Sequence, residues 1–175
     1  MEPTLTPLPP AYAELHCLSS FSFQRAASQP QELVERAAAL GYSALAITDE
    51  CSVAGVVRAH GEATRLGLKL LPGAEFWVAL GPQAPGATAQ SSRNAGAGAG
   101  AVAGFRLIVL PHDLQGWGNL CEFITLARRA APKGQYRLVW QEARWELLAH
   151  CEVLLSIPIA APRLPALTPR KPPAS

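Results

Sequence analysis

The chain has no Cys-x-x-Cys pair. Its four cysteines, Cys17, Cys51, Cys121 and Cys151, are scattered, which excludes a zinc knuckle or a thioredoxin-type site and makes reduced thiols in a cytoplasmic protein the expectation. No apolar run approaches the ~20 residues that a membrane span requires, because Gly, Pro or charge interrupts each one. Met1-Glu2-Pro3-Thr4 offers neither the basic start nor the apolar stretch of a signal peptide. Excess charge of one sign is also missing. The net charge is +2, and Arg163, Arg170 and Lys171 lie in an acid-free tail from Pro158 to Ser175, so residues 1–157 sum to −1. Such a chain does not grip nucleic acid through bulk charge. The Gly98-Ala99-Gly100 stretch is not followed by Lys-Ser/Thr, which rules out a phosphate-binding loop of that kind.

What is present fits one globular domain. A chain of 175 residues can bury roughly 70% of its extended surface without disulfides. Tyr12 to Cys17 alternates apolar and polar as a half-buried strand does. Ser28-x-x-Gln31 reads as a capping box, with Pro30 tolerated in the first turn of a helix. Leu33, Ala37 and Leu40 then share one face, and Gly41 closes the helix. A strand is predicted over Ala44 to Thr48, and a helix from about Ser52 to Leu66. Val53, Val56, Val57, His60 and Ala63 line one side of that helix, which makes His60 a core histidine, and Gly67 ends it. Leu68 to Leu71 is a third strand, and Phe76 to Leu80 continues extended. This β-α-β-α-β alternation predicts an α/β fold with mostly parallel strands in a sheet or barrel.

Residues 1–11 read as a disordered lead-in. Of the 24 residues from 81 to 104, 14 are Gly or Ala, a composition that buries too little apolar surface to offset its ordering entropy and so predicts a flexible insertion. Phe105 to Leu110 is a fourth strand and Leu114 to Arg129 a helix, with Leu120, Ile124 and Ala127 inward and Asp113 as its N-cap. Tyr136 to Val139 is a short strand, Trp140 to His150 a helix, and Glu152 to Ile157 a fifth strand. Residues 158–175 form a Pro-rich tail expected to be disordered. Five strands are fewer than a closed barrel uses, so either the barrel is incomplete or the chain is part of something longer.

The chemistry concentrates at strand ends, where loops of α/β folds converge on one face. His16 closes the first strand, Asp49 and Glu50 the second, and Glu75 follows the third. One imidazole and several carboxylates could serve a divalent ion, provided they converge at about 2.0–2.2 Å and leave a position for water. Singly, each has a plainer role: Asp49 as a helix cap, Glu50 and Glu75 as solvated acids. His112 and His150 are assigned no catalytic role. Cys17 and Cys51 neighbour His16 and Glu50, but alternation sends neighbours to different sides.

Several blocks together resemble a known family. Tyr12-Ala13-Glu14-Leu15-His16-Cys17-Leu18-Ser19-Ser20-Phe21-Ser22-Phe23, Ala44 to Gly55, Gly67 to Phe76, and Gly116 to Arg129 are similar to the PHP (polymerase and histidinol phosphatase) domain. The closer similarity is to the N-terminal PHP domain of bacterial C-family DNA polymerases of the error-prone, translesion type. That resemblance implies an incomplete or distorted β/α barrel of the PHP type. It implies an intact parent that is a DNA-directed DNA polymerase, a nucleotidyltransferase acting in DNA repair and replication across lesions. The implied partners are the remaining polymerase domains, a sliding clamp, a Y-family-like helper and DNA; no membrane is implied.

The departures from the family matter equally. Metal-binding members carry His-x-His at the first strand end, where this chain has His16-Cys17-Leu18, and Asp-His after the second strand, where it has Asp49-Glu50. Only His16, Asp49 and Glu75 match the ligand pattern, so His16, Asp49, Glu50 and Glu75 read as a degenerate metal set, with no catalytic residue assigned. No cofactor is expected, and zinc, manganese or magnesium enters only if the reduced site still binds. The expectation is a fragment, truncation or frameshifted form that acts as a non-catalytic structural and interaction module. The alternative is a residual metal-dependent phosphoesterase resembling a 3′–5′ nuclease.

Overall fold

The computed structural model describes residues 11–81 and 104–156. The expected tail, and nearly all of the expected lead-in and insertion, lie outside the described residues. Strand β1 (Ala13–Cys17), helix α1 (Pro30–Ala39), strand β2 (Ala44–Ile47), helix α2 (Val56–Leu66) and strand β3 (Lys69–Pro72) form the first half. The three strands pair in the order β1-β2-β3, all parallel, with Leu45 opposite both Glu14 and Leu70. Parallel neighbours need long crossovers, and the two helices supply them. β2 is buried along its whole length, so Ala44, Leu45, Ala46 and Ile47 form a continuous apolar run without alternation.

Strand β4 (Ala74–Ala79), strand β5 (Gly104–Pro111), helix α3 (Leu114–Arg129), a 3-10 turn (Trp145–Leu148) and strand β6 (Cys151–Ser156) form the second half. Here the strand order is β4-β5-β6 and both pairings are antiparallel. The fold is therefore α/β and of the incomplete-barrel type expected, but its second sheet departs from the mainly parallel expectation. Val78 lies opposite Phe105 and Val109 opposite Val153 in these two antiparallel ladders.

The two sheets meet at Gly73. Its N–H donates to the Ile47 carbonyl at 3.0 Å, continuing the β2–β3 ladder. The ladder then passes to β4, because Cys51 N–H donates to the Glu75 carbonyl and Glu75 N–H to the Asp49 carbonyl. A Cβ on residue 73 would lie 2.6 Å from Leu110 Cδ2 and 2.7 Å from the Val109 carbonyl oxygen. Only glycine lets the chain bend from one sheet to the other at this distance. Asp49, Glu50 and Glu75 lie beside this bend, which is why residues 25 positions apart come together.

Several local expectations need correction. The N-cap of α1 is Gln29 rather than Ser28, and Glu32 rather than Gln31 accepts the Gln29 N–H at 2.8 Å. Ser28 instead belongs to the preceding loop, where its carbonyl accepts from Ser20 N–H. Helix α2 starts at Val56, four residues later than expected, and buries Ala59 and Ala63. That rotation leaves Val57 and His60 exposed, so His60 is not a core residue. Trp140 to His150 forms only the short 3-10 turn; its side chains hold it irregular, with Trp145 Nε1–H donating to the Trp140 carbonyl at 2.9 Å. Gly41 and Gly67 do take left-handed φ values of 73° and 69° at the helix ends. Among the described residues no helix is long and apolar enough to cross a membrane.

Helix α3 carries Gly116 and Gly118 on different faces, and they predict opposite outcomes. Gly116 packs on the backbone of His150, and a Cβ there would overlap that residue's carbonyl oxygen; Gly118 has open space. Gly116→Ala is expected to destabilise the fold by about 1–3 kcal/mol through overpacking. Gly118→Ala is expected to stabilise it by up to about 1 kcal/mol through helix propensity. Urea unfolding of the two variants measures both signs.

Candidate functional site

The loop from β1 to α1 is rich in serine, and two of these serines build a socket for Asp49. Asp49 is 1% exposed. Its Oδ1 accepts from Ser19 N–H at 2.8 Å and from the Ser22 hydroxyl at 2.6 Å, and its Oδ2 accepts from the Ser19 hydroxyl at 2.7 Å. Ser22 Oγ in turn accepts the Glu50 N–H at 2.9 Å. A carboxylate with three donors is well compensated for burial. Asp49 thus fastens the β1–α1 loop to the end of β2, and it is not the N-cap of α2, whose cap position is Gly55.

Glu50, Glu75 and His16 share a second environment next to that socket. Glu50 and Glu75 form a parallel β-bridge. His16 Nε2 lies 2.6 Å from Glu75 Oε2. Between the two acids sits Arg25, whose Nη1 donates to Glu50 Oε2 at 3.0 Å and also to Glu75 Oε1, while Nη2 reaches Glu75 Oε2 at 3.4 Å. Arg106, on β5, adds a second guanidinium, with Nε 3.7 Å from Glu75 Oε1. The Tyr136 hydroxyl donates to Glu50 Oε1 at 2.8 Å and accepts Trp77 N–H at 2.8 Å. Arg128 holds the backbone beneath, donating to the carbonyls of Cys51 and Glu50.

The electrostatics follow from these contacts. Burial alone would push the Glu75 carboxyl up, but His16 and Arg25 outweigh it and hold it below the ordinary glutamate range. Burial lowers Arg25, while the hydrogen bonds and charge of Glu75 and Glu50 raise it further, to a net value above the ordinary one. Tyr136 is raised well above the usual phenol value, first by burial and then by Glu50. Burial pushes the Cys17 thiol up to about 11 and the Cys51 thiol up to about 12, so neither adds a thiolate to the pocket near neutral pH.

The depressed Glu75 carries a sign for stability. A folded-state value below the unfolded one of about 4.3 stabilises the fold above that pH. The contribution is lost as pH falls through the folded value. The stability gap between the wild type and Glu75→Gln is therefore expected to be widest near neutrality and to shrink in acid. Urea unfolding at a series of pH values measures that gap, and a gap that widens in acid would contradict the assignment.

The family to which these motifs are similar implies a divalent ion here, and the donor set does not fit one. Both Asp49 oxygens are taken by serines, and both Glu75 oxygens by His16 and Arg25. A guanidinium stands between the acids, where it would repel a second cation. Among the described residues no group of three or more His, Cys, Asp or Glu could hold a metal ion. Of the four residues picked from sequence, the structure brings together His16, Glu50 and Glu75 and gives Asp49 its own socket.

Arg25, Arg106, Tyr136, Ser19 and Ser22 carried no expected role. The only local signal was the concentration of serines and one arginine just after His16. A further opening of about 400 Å³ lies beside Glu50, lined by Phe21, Phe23, Arg128, Lys133 and Tyr136 among others. His112 and His150 stay outside the pocket, 3.2 Å from Glu152 and 2.9 Å from Asp113 respectively. Asp113 caps α3 as expected, accepting Gly116 N–H at 2.8 Å.

Comparison with known proteins gives consistent matches. The PHP domain family matches residues 14–161. The error-prone DNA polymerase of Ralstonia nicotianae is 52% identical over 137 residues, covering 77% of this chain and 11% of the relative. The error-prone DNA polymerase of Methylococcus capsulatus is 47% identical over 151 residues, covering 86% of this chain and 12% of the relative. Among solved structures, an amidohydrolase from Chromobacterium violaceum with bound sulfate and no metal superposes with a TM-score of 0.48 and 24% identity. That match covers 69% of this chain and 34% of the other.

Proposed function

The chain belongs to the PHP-domain family, and from that premise we propose that it works as a non-catalytic structural and interaction module of an error-prone DNA polymerase. The polymerase part of the proposal is supported by the names of the relatives at 52% and 47% identity. The chain spans 11% and 12% of those two relatives. DNA-templated synthesis across lesions, and contact with DNA, a sliding clamp or a helper polymerase, are accordingly proposed for an assembly in which this module is one part.

The observation that carries the non-catalytic part is the saturated acid pocket. Hydrolysis of a phosphodiester by a metal route needs carboxylate and imidazole lone pairs for the ion and an open position for water. Here the chain's own donors, Ser19, Ser22, Arg25 and Tyr136, use the carboxylate oxygens. The domain division proposed with it takes residues 12–157 as the PHP-like module, 1–11 as a lead-in, 81–104 as an insertion and 158–175 as a tail.

The test is turnover of a chromogenic phosphodiester by the purified chain with manganese or zinc. No turnover above buffer is expected. Turnover that disappears in His16→Ala and Asp49→Ala would instead establish a residual phosphoesterase.

A further inference from the structure

Two carboxylates buried side by side repel one another and need a counter-charge. Glu75 is 1% exposed and Glu50 9% exposed, and they face each other across the β-bridge that joins the two sheets. Arg25 answers both. Its Nη1 is shared between Glu50 Oε2 and Glu75 Oε1, with the rest of the fork toward Glu75 Oε2. That is the place a cation bridging the two acids would take.

The loop is built to deliver this side chain. Ser22 N–H donates to the Ser19 carbonyl and Arg25 N–H to the Ser22 carbonyl. Gln24, immediately before Arg25, has a left-handed φ of 62°, a conformation uncommon outside glycine that persists only when its surroundings fix it. Ser19 and Ser22, the residues of that turn, are the ones that hold Asp49. The side chain of Arg25 is only 20% exposed. A guanidinium does not lose its proton in proteins, and no chelator can remove it.

Building on the non-catalytic reading of the pocket, we propose that Arg25 is a resident cation: its guanidinium stands where a divalent ion would bridge Glu50 and Glu75, and it closes the pocket to such ions. The counter-charge that a metal-binding relative would draw from solution is thereby part of the chain and permanent. Asp49 does not share in this exchange, because its oxygens belong to the serine socket. The role of Arg25 is positional and electrostatic, since it touches no reacting atom.

The test uses the whole chain and thermal melting in EDTA or in excess Mn²⁺, with wild type, Arg25→Ala, and Arg25→Ala combined with Glu75→Gln. The wild-type midpoint is expected to be the same in both conditions. Arg25→Ala is expected to melt several degrees lower in EDTA and to recover part of that loss in Mn²⁺. The double variant is expected to melt above Arg25→Ala in EDTA and to ignore Mn²⁺, because one of the two acids is neutral. If Arg25→Ala does not fold in EDTA, its yield of folded protein is expected to rise with Mn²⁺ or with the added Glu75→Gln.

An Arg25→Ala variant that melts with the wild type, or that responds to neither Mn²⁺ nor Glu75→Gln, would overturn the proposal. Rescue by Glu75→Gln without any response to Mn²⁺ would overturn the claim that the guanidinium stands in a metal position. A wild-type midpoint that climbs with Mn²⁺ would overturn the claim that the pocket is closed. These melts do not depend on catalysis, whereas phosphodiester turnover by the wild type would defeat the non-catalytic reading by itself.

Discussion

Asp49→Ala is expected to destabilise the fold by about 3–5 kcal/mol, among the largest effects of any single substitution in the described residues. The carboxylate is 1% exposed and accepts the Ser19 N–H, the Ser19 hydroxyl and the Ser22 hydroxyl. Alanine would leave these donors facing a cavity, and each buried donor without a partner costs about 1–3 kcal/mol. The damage would spread, because the Ser22 oxygen also holds the Glu50 N–H. Asp49→Asn keeps one acceptor but turns an amide donor toward a hydroxyl, so an intermediate loss is expected. Urea unfolding near neutral pH measures both, and Asp49→Ala within about 1 kcal/mol of wild type would show that the socket contributes little.

Phe76→Ala is expected to cost a similar amount, about 3–5 kcal/mol, by a different route. Phe76 is fully buried on β4 and packs edge-to-face on Phe123 at 5.1 Å and on Tyr136 at 6.5 Å between ring centroids. Removing the ring deletes its transfer energy and leaves a cavity under α3. It also frees Tyr136, whose hydroxyl links Glu50 to the Trp77 backbone. Phe76→Leu fills more of the space and is expected to lose less. The two variants separate packing from the electrostatics of the neighbouring Glu75, which points to the other side of the strand.

What the sequence made legible was governed by local patterns. Ala44 to Ile47 read as a buried strand because four apolar residues run together, and α3 was found over Leu114–Arg129 because Asp113 caps it and Leu120 and Ala127 repeat on one face. The strand-end argument placed Asp49, Glu50 and Glu75 near one another, and the bend at Gly73 explains why they meet. The errors arose where position depends on contacts rather than pattern. The stripe through Val57 and His60 was equally good helically, but close packing of α1 and α2 buries Ala63, which belonged to that stripe, together with the small Ala59, which did not.

Trp140 to His150 has helical composition, yet Trp140 packs at a tilt against Trp145, 4.7 Å between ring centroids, and Arg144 pairs with Glu146, contacts that a regular helix would break. The antiparallel second sheet depends on partner choice, which apolar runs do not specify. Arg25 was invisible for the same reason. It is a single basic residue in a serine-rich loop, and its meaning comes from an acid 50 positions away. Likewise, the four candidate ligands lie at neighbouring strand ends, but sequence could not divide Asp49, in its serine socket, from His16, Glu50 and Glu75.

The measurement closest to the central claim is the metal content of the purified chain after equilibration with excess zinc and manganese and removal of free ions. A pocket closed by Arg25 predicts far less than one bound ion per chain for the wild type. One or more ions per chain, lost on replacing His16 or Glu75, would contradict it.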